Sequence, residues 1–370
     1  MSNKQTYSNF ISTFKTLNCD IAFIQDPTTI SLLTHYTTDP HERILALIVS
    51  ANHSPLLFVP ALEKNMAQAA EPTYTVISYQ DHENPWSILT SAIQEQFNFP
   101  TKWAVEKNFI TLHTVENLKN ELPTIQWTDN LTPVINDLRL RKDADAIQKL
   151  KDSGIYADKA VEIGIQSLRE GITELEVVAT IEYEMKKLGI TSMSFDTMVL
   201  FGDHAADPHG VPGDRTLEKN EWVLFDLGTM HNGYASDMTR TIFFGEESAK
   251  NPRHQEIFTI VKTAHDLAIQ AVKPGIKASE IDAIARNYIA EKGYGEYFIH
   301  RLGHGIGQSC HEFPSIMEGN DMILEEGMCF SVEPGVYIAK DYGVRTEDCL
   351  VVTKDGCELF THFPHEVTKN

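Results

Sequence analysis

A chain of 370 residues with 42% hydrophobic content is long enough for two globular domains and is not the composition of a disordered protein. Its formal net charge of −21 argues against nucleic acid or an anionic membrane as the main partner. The five cysteines are sparse, odd in number and form no C-x-x-C pair, as in a protein of a reducing compartment.

The start, Met1 to Tyr7, lacks the basic and apolar runs of a secretory signal, and a cytoplasmic location is expected. The longest apolar runs, such as Ile44 to Val49, are strand-sized and far too short to span a bilayer. Up to about residue 135, short apolar runs alternate with helical patterns. Strands are expected over 20–24, 43–50, 56–60, 74–78 and 102–106, and helices over 85–97 and 112–121. This predicts an α/β N-terminal domain over residues 1–137, without a dinucleotide fingerprint or a P-loop.

From Leu138 the texture changes. Long helical periodicity runs over 139–169, with Leu140, Ile147, Leu150 and Ile155 among its apolar positions. The second domain is therefore placed at 138–370. It carries an internal repeat. Gly171-Ile172 and Gly275-Ile276 each precede a helix with a capping-box start, Thr173 with Glu176 and Ser279 with Asp282. Leu217 to Asp226 and Leu324 to Glu333 align without a gap, which sets Asp226 opposite Glu333. Two halves related by a pseudo-twofold axis would bring these carboxylates to one centre.

Asp226 and Asp237 flank Gly228 and Gly233, and a hairpin between them can aim both side chains at one point. Glu333 and Glu347 flank Pro334-Gly335 and Gly343 in the same manner. Acids at the ends of apolar strands are costly unless a cation or partner compensates them. His304, between Gly303 and Gly305, adds an imidazole where small residues permit close backbone approach. Four carboxylates and one imidazole suit two divalent metals, with a bridging hydroxide as nucleophile for amide hydrolysis. His209 and His311 are not needed as ligands and are candidates for proton transfer and for stabilising the oxyanion. Cys310 reads as a bystander thiol, because neighbours in an extended segment point apart.

These residues resemble the metallopeptidases of the pita-bread fold. The motifs Gly233 to Asp237, Gly303 to Gly307, Glu333-Pro334-Gly335, Val344 to Asp348 and Pro208-His209-Gly210 are similar to those of its Xaa-Pro-cleaving branch. Stretches such as Trp103 to Asn108 and Gly293 to Arg301 look closest to the lactic-acid-bacterial type. The resemblance implies an α+β pita-bread (creatinase/aminopeptidase) catalytic domain behind an α/β N-terminal domain. It implies Asp226, Asp237, His304, Glu333 and Glu347 as ligands of two Mn, Co or Zn ions, a homodimer, and Xaa-Pro dipeptides as substrates.

Cleavage of longer Xaa-Pro peptides, as by aminopeptidase P, is the alternative, and a non-catalytic binding protein of the same fold is a third reading. Some prolidases carry an arginine after His-Glu-x-Pro, where this chain has Ser315. Arg301 is one candidate substitute for it, and a residue from a partner subunit is another. The substrate-binding candidates are thus Arg301, Ser315, Arg345 and, from the N-terminal loop that the lactic type extends to a neighbour, Asp39 and His41.

Overall fold

The computed structural model describes residues 3–370. Its contacts divide it into two compact units, one up to Leu138 and one from Arg139 onward.

The first unit runs α1 (Asn3–Phe14), β1 (Ile21–Ile24), α2 (Pro27–Leu33), β2 (Ala46–Val49), β3 (Leu56–Pro60), α3 (Lys64–Ala70), β4 (Thr75–Tyr79), α4 (Pro85–Phe97), β5 (Lys102–Val105), α5 (Leu112–Glu121) and β6 (Gln126–Asn130). Its six strands form one mixed sheet in the order β4-β3-β2-β1-β5-β6. Strands β1, β2 and β3 are buried on both faces, so they read as continuous apolar runs rather than alternating ones. Ala22, Ile24, Leu47 and Val49 face Phe10, Phe14 and Ile30, while Ile21, Phe23, Ile48 and Trp103 face Leu89, Ile93 and Leu118. Arg43, Ile44 and Leu45 precede β2 instead of starting it, because the chain turns there, with His41 at φ 53°.

Helix α6 (Thr132–Leu140) crosses the boundary, and α7 (Ala144–Ser167) follows it. The long helix expected from 139 is therefore interrupted. Asp143 takes an extended conformation and accepts the Ala146 N–H, starting a new helix. Ile155, expected on the apolar face of that helix, is exposed.

The second unit continues with α8 (Glu174–Lys187), β7 (Ser192–Met193), β8 (Met198–Phe201), a 3-10 turn over Gly202–Ala206, β9 (Glu221–Leu227), β10 (Thr229–His231), β11 (Tyr234–Ala235), β12 (Met238–Phe244), α9 (Pro252–Ala271) and α10 (Ala278–Glu291). Then come β13 (Gly303–Gly305), β14 (Glu312–Ile316), β15 (Cys329–Val332), β16 (Gly335–Ile338), β17 (Tyr342–Arg345), β18 (Asp348–Val352), β19 (Cys357–Leu359) and β20 (Thr368–Lys369).

The internal repeat is visible throughout this unit. In the first half α7 and α8 cover β8, β9 and β12, through Val161, Ile181, Val223, Phe225 and Ile242. In the second α9 and α10 cover the β13–β15–β18 region, through Val261, Ile281, Ala285, Phe330 and Leu350. Leu217 N–H donates to Ile172 O and Leu324 N–H to Ile276 O, both at 2.8 Å. Gly171 and Gly275 sit at the same place in each half, at φ 80° and 91°, values an L side chain rarely adopts.

Helix α8 has the expected Thr173–Glu176 capping box. Helix α10 starts differently. Lys277 is its N-cap residue and Glu280 accepts the Lys277 N–H at 2.9 Å, while Asp282 instead grips Arg286. The start is two residues earlier than expected because Ala278 and Ser279 donate their N–H groups to Met322 O and Asn320 O.

Candidate metal centre

Strands β9 and β12 pair antiparallel, with Asp226 opposite Thr239 and Leu227 opposite Met238. Asp237 lies immediately before β12. Between them β10 and β11 form a small hairpin whose Asn232 and Gly233 both have positive φ, the I′-type arrangement that matches strand twist. The other half repeats this design. Strands β15 and β18 pair with Val332 opposite Asp348, and the β16–β17 hairpin is inserted between them. Glu333 leaves β15 where Glu347 enters β18. The four carboxylates thus occupy corresponding ends of two hairpins.

His304 lies in β13 and pairs with Ser315 on one side. Gly303 presses so close to β15 that a Cβ on it would stand 1.8 Å from Ser331 O. That approach delivers the imidazole. Its Nδ1–H donates to Gly305 O at 3.1 Å, which leaves Nε2 with its lone pair. Nε2 is 3.3 Å from Glu333 Oε1 and 3.5 Å from Asp237 Oδ2. The Ser331 hydroxyl bonds both neighbours, accepting His304 N–H and donating to Glu333 Oε1.

Three donor groups overlap at this place. Asp226, Asp237 and Glu347 bring ligand atoms within 4.8 Å of one another, as do His304, Glu333 and Glu347, and Asp237, His304 and His311. Burial, and then the charges of Asp226 and Glu333, raise the Asp237 carboxyl well above the usual range. Burial and the same crowding raise Glu347, and burial raises Glu333 to about 7. Burial drives His304 down to about 3, so the imidazole is neutral. Asp226 Oδ1 and Glu347 Oε1 are buried without a hydrogen-bond partner. Crowded acids with unpartnered oxygens and a neutral imidazole are the field that a divalent cation neutralises, so the donor set fits metal.

A side-chain framework holds the acids. Arg345 grips Asp226 with Nη2, donates to Thr239 Oγ1 at 2.9 Å with Nε, and donates to the Tyr337 hydroxyl at 2.8 Å with Nη1. Thr239 Oγ1 in turn donates to Glu347 Oε2 at 2.7 Å. Arg240 donates to Glu347 O and pairs with Asp348. Thr239 and Tyr337 escaped sequence reasoning. The available signal for Thr239 was its position two residues after Asp237, on the same face of the strand.

The remaining expected residues fall as follows. His311 stands with its ring 4.0 Å from that of His304, edge to face. His209 is exposed on the loop after the 3-10 turn, where its N–H donates to Asp207. It lies in the neighbourhood of His300 and His311. Arg301 Nη1 donates to Ser315 Oγ at 3.1 Å, which joins two of the substrate-binding candidates. Arg345, a third, is 5% exposed, and its guanidinium is occupied by Asp226, Thr239 and Tyr337; its contacts are those of a brace for the acids. Asp39 and His41 lie exposed on a loop of the first unit, with Asp39 Oδ1 accepting the His41 N–H. Cys310 is more than a space filler beside the centre, for its protonated thiol donates to Asp237 Oδ2 at 3.1 Å. The chain bends over 307–311 rather than running extended, so its neighbours do not simply alternate.

The duplicated half-units and the acids at their hairpin ends define the class: a hydrolase with the pita-bread fold. The model of metallopeptidase family M24 matches residues 148–354, and that of the creatinase/prolidase N-terminal domain matches 8–141. The chain belongs to metallopeptidase family M24, whose chemistry rests on divalent metal ions.

Among its relatives is an Xaa-Pro dipeptidase of Lactobacillus helveticus, 47% identical over 93% of each chain. An Xaa-Pro dipeptidase of Lactobacillus delbrueckii subsp. lactis is 48% identical over 94% of each. A crystal structure of a prolidase from Thermococcus sibiricus superposes with a TM-score of 0.92 at 32% identity, covering 100% of this chain and 99% of the other. No helix among the described residues is long and apolar enough to cross a membrane.

Proposed function

We propose that this chain is an Xaa-Pro dipeptidase whose Asp226, Asp237, His304, Glu333 and Glu347 hold two divalent ions, Mn, Co or Zn. The observation that carries this reading is the convergence of those five side chains with two carboxylate oxygens left unpartnered. The similarity to Xaa-Pro dipeptidases over nearly the whole chain supports the substrate class. When bound, the ions supply Lewis acidity and lower the pKa of water.

The protein groups do the rest. Proline gives its peptide bond no N–H and restricts the preceding residue, so the site must grip the ring and the free ends. His209 and His311, both on exposed loops, donate hydrogen bonds to the oxygen on which charge develops. Burial and the Arg301 charge hold His311 below its ordinary range, which keeps it a neutral N–H donor. Arg301, braced on Ser315, takes the proline carboxylate, and Arg345 keeps Asp226 aimed. Addition of water to the scissile carbonyl and protonation of the departing proline nitrogen complete the hydrolysis.

A homodimer belongs to the same reading, with Asp39 and His41 as contacts supplied by a second copy. So does a cytoplasmic location, which the five free cysteines support.

The test is proline release from Leu-Pro against cleavage of Leu-Pro-Gly, after EDTA and again after Mn, Co or Zn is restored. Metal-dependent cleavage of the dipeptide is expected. Cleavage mainly of the tripeptide would move the chain to aminopeptidase P activity. Failure on both with metal bound would refute the substrate class.

A further inference from the structure

Next to the main centre, three side chains outside its proposed ligand set meet in the interior of the second unit. His265 projects from α9 and is 2% exposed, Asp348 opens β18 and is fully buried, and His365 comes from the segment before β20. His265 Nε2 and His365 Nε2 each stand 3.3 Å from the same oxygen, Asp348 Oδ2. All three donor atoms lie within 4.8 Å of one another. We propose that His265, Asp348 and His365 form a separate cation site that takes a zinc-class divalent ion.

Three observations favour an ion over a plain hydrogen-bonded cluster. First, His265 Nε2 and Asp348 Oδ2 are buried and lack good hydrogen-bond geometry toward each other although they stand 3.3 Å apart. Buried polar atoms are rarely left so, and an ion is one of the standard reasons. Second, donors at zinc bond lengths around a tetrahedral ion lie ~3.3–3.5 Å apart, the spacing of both imidazole–Asp348 pairs. Third, the outer contacts are those that metal ligands need. His265 turns Nδ1 toward Asp266 Oδ1 at 3.4 Å, the carboxylate–histidine arrangement that directs the other nitrogen to a metal. Arg240 at 2.7 Å and Thr361 at 2.6 Å occupy Asp348 Oδ1 and leave Oδ2 free.

Two imidazoles and one carboxylate suit zinc better than magnesium or calcium. The Arg240 guanidinium opposes a cation. The site has one carboxylate against four in the main centre, so it fills after that centre does. It also touches the centre indirectly, since Arg240 holds both Asp348 and the carbonyl of Glu347.

The test is equilibrium dialysis of the intact metal-loaded protein against rising zinc, with bound metal counted by mass spectrometry. His365→Ala is the principal variant, because its side chain is partly exposed and its loss leaves the core packed. His265→Gln is a second, and His362→Ala, an exposed neighbour, is the control. The wild type and the control are expected to bind one more zinc per chain than His365→Ala, with half-saturation at least tenfold weaker than for the tight ions. The difference holds whatever number of ions the main centre takes. Equal zinc uptake by wild type and His365→Ala would overturn the proposal, as would an equal loss in His362→Ala. If His265→Gln does not fold, the His365→Ala comparison decides alone.

Discussion

The β9–β12 half of the second unit presents its acids as aspartates, Asp226 and Asp237. The β15–β18 half presents glutamates, Glu333 and Glu347, and has His304 beside them. The two halves share helices, turns and inserted hairpins, yet their site contacts are crossed. Arg345, from the second half, grips Asp226 of the first. Thr239, from the first, holds Glu347 of the second, and Arg240 ties the same two segments through backbone and Asp348. Duplication therefore explains the architecture but not the site. The site exists only where the halves meet, and the residues that break the symmetry are those that brace across it.

The comparison can be broken most severely at the acid that faces both halves. Asp237 approaches His304 and accepts from Cys310. Asp237→Asn keeps the shape and removes a charge. Turnover is expected to fall below about 0.1% of wild type, in line with the loss of an essential catalytic group. Near-normal activity with added Mn would sink the assignment.

A milder cut is Thr239→Val, which keeps the branched shape but removes the hydroxyl between Arg345 and Glu347. Metal affinity should weaken about 10–100-fold, the range for lost outer contacts. Competition with a chelator measures it. Unchanged affinity would mean that the halves do not depend on this bridge.

The smallest effect separates the two helix starts. Thr173 accepts the Glu176 N–H with its side chain, whereas Lys277 has no acceptor to offer. Thr173→Ala is expected to cost about 1 kcal/mol in denaturant unfolding, and Lys277→Ala only a few tenths. Equal costs would show that Lys277 stabilises by another route, such as its pair with Asp321.

Much of this was legible in the sequence because it is local. Asp226, Asp237, Glu333 and Glu347 end apolar strands next to turn residues, and Gly303 and Gly305 mark the close approach around His304. The five early strands were legible from their apolar runs. Short helices such as α2 and α3 were not, since seven residues give too little periodicity. The Asp143 break within 139–169 was hidden by continuous helical composition on both sides. The α10 start was misplaced because backbone pairing with Asn320 and Met322, distant in sequence, decides it. The roles of Thr239, Tyr337 and Cys310 were invisible for the same reason, as each depends on a partner brought in by the fold.

The crossed bracing also bears on when the centre comes into being. Arg345 and Asp226 are separated by 119 residues, and Thr239 and Glu347 by 108. Contacts of that span close large loops and belong to the late part of folding. A nascent chain that has not yet delivered Glu347 can pair β8, β9 and β12 under the first two helices, yet it has no bracing for Asp226. Metal capture is then an event at the end of synthesis, and the ion joins a unit whose halves have already met.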